Sequence, residues 1–157
     1  MRITPTLEGG LRIDAEDLTD WEVLHAIVHD AQRPEIDLAN ELGNLIEEKS
    51  AAEDWEEFVI PDLREGFESQ LSIVAKSVQE AVDQSAGEPG SIWISPTDGF
   101  PWYGALNQAR LALEDLHHFG PGDSVAIGEL CPASRSAFLR SHFYLTLQSL
   151  LLDYVLK

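Results

Sequence analysis

The sequence predicts a mainly α domain, a bundle of about five helices around a buried C-terminal helix with a small antiparallel β-sheet beside it. Three observations carry that reading. Apolar residues recur at three- and four-residue steps through most of the chain. Two short stretches near residues 1–15 and 91–95 alternate instead, as strands do. In the last helix Phe138, Leu139, Phe143, Leu147, Leu150, Leu151, Tyr154 and Val155 cover more than half the circumference, the mark of a helix surrounded by others.

Residues 1–15 read as a hairpin. Arg2-Ile3-Thr4 and Leu11-Arg12-Ile13 flank Gly9-Gly10, and paired glycines suit the positive φ of a tight turn. Pro5 lacks a donor, which places the first strand at an edge. A first helix is expected over 16–32, capped by Asp14, with Leu18, Trp21, Leu24 or His25, and Val28 on its apolar side, ending at Pro34. A second is expected over 35–49 from Ile36, Leu38, Leu42, Leu45 and Ile46, weakened by Gly43. Glu53 to Phe58 reads as a short helical turn, and Pro61 opens a long helix to Ser85 with the stripe Leu63, Phe67, Leu71, Val74, Val78 and Val82. Ala86 to Gly90 breaks it. Ser91 to Ser95 reads as a strand that joins the hairpin, because a lone hairpin is marginal in water.

The stretch Pro101 to Phe119 is the cleanest amphipathic helix, with Trp102, Leu106, Ala109, Leu113 and Leu116 on one stripe and Asp98 or Thr97 as its cap. Gly120-Pro121-Gly122 ends it, 121–130 is a loop, and Pro132 opens the last helix.

Composition bounds the function. A chain of 157 residues suggests one domain, spanning 1–157. A domain of that size buries roughly 70% of its unfolded surface, enough for a core without staples. Twenty-eight acids against 10 Lys and Arg give a formal net charge of −18. That field repels phosphate backbones and anionic headgroups, so nucleic acid and membrane are poor partners and a basic protein surface is a good one. Cys131 is alone and forms no internal disulfide, which fits a reducing compartment. The N-terminus has no apolar run resembling a signal peptide, and the C-terminal run is interrupted by Thr146, Gln148, Ser149 and Asp153. The expected compartment is the cytoplasm.

Four groups of residues are candidates for chemistry or binding. Asn107 and Arg110 are three apart on the helix of residues 101–119, with Arg110 and Glu114 four apart. Arg presents a planar fork to a carboxylate, so the pair reads either as a ligand or partner site or as a polar anchor to a neighbouring helix. His25 and His29 are four apart, a spacing that places two imidazoles on one helix side and can hold Zn²⁺, with Glu22 as a third ligand. Ala26 stands where a metalloprotease motif needs glutamate. No other cofactor is expected. Glu47, Glu48, Glu53, Asp54, Glu56 and Glu57 surround Trp55 and Phe58, and aromatic anchors among acids suit docking of a basic partner. Cys131 reads as a loop cysteine, since Pro132 and apolar neighbours supply no base.

The run W-Y-G-A-L-N-Q-A-R-L-A-L from Trp102 to Leu113 resembles the most recognisable motif of an uncharacterised actinobacterial family. Ser141 to Leu156 is similar to the final helix of that family, and Ile60 to Glu80 to its middle helix. Together these cover roughly the last two thirds of the chain. Glu114, Asp115, His117 and His118 depart from the more apolar residues expected after the motif. The resemblance implies a largely helical cytosolic domain of unknown function, often encoded beside the Clp protease adaptor ClpS, and thereby a connection with regulated proteolysis. The residues themselves favour a non-catalytic interaction or regulatory module. The competing expectation is a metal-dependent hydrolase using His25 and His29.

Overall fold

The computed structural model describes residues 1–33 and 37–157. Its order is β1 (Arg2–Pro5), β2 (Leu11–Ala15), α1 (Leu18–Ala31), α2 (Leu38–Gly43), α3 (Lys49–Asp54), a π-turn (Trp55–Val59), α4 (Ile60–Ser85), β3 (Gly90–Ile94), α5 (Gly99–His117) and α6 (Pro132–Tyr154). Two 3₁₀ turns lie between α5 and α6. The fold is mainly helical with a small sheet, as the hydrophobic periodicity predicts. Among the described residues no helix is long and apolar enough to cross a membrane.

The sheet is antiparallel in the order β1-β2-β3, with Ile3 opposite Ile13 and Ile13 opposite Ile92. Period-two alternation turns Leu11, Ile13, Ala15, Ile92 and Ile94 toward the helices, where all are buried. Pro5 lies in the edge strand, as its missing donor requires. At the hairpin only Gly9 takes a positive φ, 84°.

Several boundaries differ from the sequence reading. Asp14 is not a helix cap; it sits in β2, and Asp17 caps α1 by accepting from the Asp20 backbone N–H at 2.9 Å. The buried side of α1 is Trp21, Leu24, Ile27 and Asp30, while Leu18 is 67% exposed. The expected end at Pro34 and start at Glu35 and Ile36 lie outside the described residues. The second helix covers only Leu38–Gly43, because Asp37 caps it and the chain turns at Asn44.

Pro61 stands in the first turn of α4, as expected, but the chain before it is already helical. The backbone is helical without a break from Lys49 to Ser85, so α3, the π-turn and α4 form one rod and the helices number five among the described residues. Proline lacks a donor and its ring clashes with the carbonyl four residues back. The wide turn just before it accommodates both, with the Ile60 N–H reaching back to the Trp55 carbonyl.

The C-terminal helix is not the centre of the bundle. It buries Ala137, Phe138, Tyr144, Leu147, Gln148 and Leu151 and leaves Leu139, Leu145 and Leu152 exposed. The central element is α5, which packs against α1, α4 and α6. Ala105, Ala109 and Ala112, all fully buried, let three neighbours approach it. It ends on His118, not on a glycine, in the left-handed conformation, with its N–H on the Glu114 carbonyl at 2.8 Å.

Candidate functional site

Arg110 and Asn107 diverge in the structure. Arg110 points to α6, where Nη1 donates to Gln148 Oε1 at 2.7 Å, and Gln148 Nε2 in turn donates to the Tyr103 carbonyl at 3.3 Å. Asn107 is exposed. Glu114 does not pair with Arg110 and instead accepts from the Gly120 N–H. Gln108, between the two, is buried and donates to Gln70 Oε1 and to the Phe67 carbonyl on α4. Gln108 and Arg110 thus tie α5 to α4 and α6.

His25 and His29 lie on one exposed side of α1 and line a cavity against α4. The residues facing them there are Lys76, Gln79 and Ser72, not carboxylates. Among the described residues no group of three or more His, Cys, Asp or Glu stands close enough to hold a metal.

Trp55 and Phe58 part company because of the π-turn. In an α-helix residues three apart share a side; the wider turn spreads them further round the axis. Trp55 is half-buried against Gly43 of α2, where an added Cβ would lie 3.1 Å from Trp55 Cδ1. A side chain at 43 would push Trp55 back by a few tenths of an ångström. Phe58 is 62% exposed, with Glu53, Asp54, Glu56 and Glu57 exposed around it in sequence. The nearby cation, Arg64, is occupied by Asp37 at the cap of α2.

A further polar cluster joins α1 to α6, and the sequence reading missed it. Asp30 is 0% exposed. Arg140 clamps it with Nε to Oδ2 at 2.7 Å and Nη2 to Oδ1 at 2.9 Å, and the Tyr144 hydroxyl donates to Oδ2 at 2.9 Å. Arg33 Nη2 and His29 Nδ1 stand 3.6 and 4.0 Å from Oδ1. A carboxylate in the last turn of a helix meets the negative end of the dipole, so burial there requires such compensation. The carboxylate beside Arg140 raises the pKa of its guanidinium, and burial next to Asp30 pushes Tyr144 well above the usual tyrosine range. The signal was available: Asp30 follows Ile27 by three, and Arg140 and Tyr144 are four apart in an apolar run. Placing α1 one phase too early, on Leu18 and Val28, hid it.

On its other side Arg140 lines a cavity of about 520 Å³ between α1 and the first half of α6. At the start of α6, Cys131 Sγ lies 3.3 Å from Ser134 Oγ, which is 3.1 Å from His117 Nδ1. The Ser134 hydroxyl and then its backbone N–H hold the exposed thiol below its usual range. Burial, then the Arg33 and Arg140 charges, hold His117 below the ordinary histidine value.

Compared with known families, residues 7–155 match the model described as Domain of unknown function (DUF2017), a match that extends into the N-terminal third left uncovered by the resemblance of the helical motifs. No curated protein and no solved structure matches the chain.

Proposed function

The chain belongs to the DUF2017 family, and we propose that it is a non-catalytic protein-interaction module of the cytoplasm that docks a partner with a basic surface. The observation that carries this reading is Phe58, a large aromatic 62% exposed on a helical rod whose neighbouring Glu53, Asp54, Glu56, Glu57, Asp62 and Glu65 are all exposed. An aromatic anchor ringed by like charges suits a partner whose apolar pocket is bordered by Lys or Arg. The π-turn supports the reading, since it is the device that turns Phe58 outward while Trp55 remains packed on α2; π-turns within helices are often found at functional sites. Of the polar residues that suggested chemistry elsewhere, Arg110 is engaged within the fold, on Gln148. Asn107, exposed on α5, is a second contact point in this reading.

The test is capture of a partner from native lysate at low and high salt, followed by affinity measurement with the purified partner. Binding should weaken steeply with salt, and Phe58→Ala should weaken it by about tenfold or more. Because Phe58 is exposed, its loss leaves the fold intact, which circular dichroism checks. Affinity indifferent to both salt and Phe58 would exclude this surface. Identification of a Clp component among the captured proteins would supply the link to proteolysis that the resemblance implies; its absence would remove that link and leave the docking surface to be judged on its own.

A further inference from the structure

The cavity between α1 and α6 is built from unlike halves. Val23 of α1 and Pro132, Leu139 and Phe143 of α6 form an apolar wall, and Arg135 and Arg140 stand on the same rim. Leu139 is 55% exposed on this wall, next to the partly exposed Phe143. It belongs to the surplus apolar surface of α6, the part of that helix the bundle does not cover.

The electrostatics are opposite to those of the molecule as a whole. Arg140 is fixed on Asp30 by two bonds, and its Nη1 donates to Ser136 Oγ at 3.0 Å. Asp30 offsets its charge. Arg135 is held by neutral acceptors: Nε donates to the Ile127 carbonyl, and Nη2 to the Gly128 and Leu130 carbonyls. Its Nη1 makes no hydrogen bond among the described residues, and none of their carboxylates lies within ion-pair distance of it. The acid on this wall, Asp20, already accepts from the Glu16 N–H and the Met1 ammonium, each at 2.8 Å. Among the described residues the rim therefore retains an oriented guanidinium with no carboxylate partner beside an apolar wall.

We infer that this cavity is a binding site for a small amphipathic carboxylate, its apolar body on Val23, Leu139 and Phe143 and its carboxylate on Arg135. A guanidinium prefers a carboxylate to a neutral oxygen because the bond is charge-assisted, and the volume lies within the range of small-molecule sites. The site shares no residue with the acidic ridge around Phe58, so the two readings stand or fall separately.

The test is titration of the full chain with octanoate, 1-octanol and octylammonium, followed calorimetrically and by amide chemical shifts. Octanoate should bind saturably at the α1/α6 cavity, about tenfold or more tighter than octanol, and octylammonium should not bind. Arg135→Gln should remove the preference for octanoate over octanol while leaving octanol binding within about twofold. Since Arg135 also holds the loop before α6, a second variant is needed: Leu139→Glu, at an exposed helical position, should abolish octanoate binding with the fold unchanged. Phe58→Ala should bind octanoate like the parent. Absence of saturable octanoate binding overturns the inference, as does equal affinity for octanoate and octanol, or undiminished octanoate binding in Leu139→Glu.

Discussion

Asp30 illustrates how one residue can be chemically plain in the sequence and still be misplaced by it. Its type and position are visible, but its burial depends on the phase of α1, and a shift of that phase turns a buried carboxylate into a surface one. In the fold its two oxygens receive three short bonds from Arg140 and Tyr144. Asp30→Asn should therefore cost about 3 kcal/mol, the low end for a broken buried pair, because the Arg140 side chain keeps 22% exposure to water. Pairing it with Arg140→Met should cost less than the sum of the two single changes, since each single change strands its partner. Urea unfolding of the four proteins decides; strict additivity would mean the pair contributes nothing by being together. Residues whose candidacy rested on helical spacing show the same dependence. His25 and His29 do share a side of α1, as a four-residue step dictates, but which groups face them is a property of α4. Arg110 was legible as a polar residue beside an apolar stripe, whereas its partner Gln148 lies on another helix.

At the scale of elements, hydropathy misidentified the centre of the bundle. The large aliphatic residues of α6 made it the apparent core, yet Leu139, Leu145 and Leu152 face outward. The element that is surrounded, α5, buries Ala105, Ala109 and Ala112, which add little to a hydrophobic stripe. A helix with three neighbours needs small side chains where backbones approach, so centrality here is written in alanines, not in leucines. The contrast is measurable. Leu113→Ala on α5 should cost about 2–5 kcal/mol as a core truncation, and Leu145→Ala on α6 under about 1 kcal/mol. Similar losses for both would return α6 to the centre. The π-turn was equally beyond a periodicity argument: proline reads as a helix start, and a wide turn that joins it to helical backbone before it leaves no mark in the apolar spacing.

For the whole molecule, the governing fact is 28 acids against 10 Lys and Arg. Confined to a folded volume, those charges repel one another, and salt screens the repulsion. The thermal midpoint should therefore rise as ionic strength increases from near zero to about 0.15 M, while binding of a basic partner at the Phe58 ridge should weaken over the same range; a midpoint that falls with salt would show that paired charges outweigh the repulsion. What the sequence alone determined were the quantities local to the chain. Helix and strand periods, the edge position of Pro5, the acidity, and the clustering of acids around Phe58 are set by residues within a few positions of one another. The tertiary structure decided which helix is central, which carboxylate is buried, that Trp55 turns in while Phe58 turns out, and that Arg135 meets an apolar wall between α1 and α6. The reason is physical. Local conformation follows from short-range sterics and hydrogen bonding, whereas burial and pairing are properties of surfaces that meet only when segments as distant as Asp30 and Arg140 are folded together.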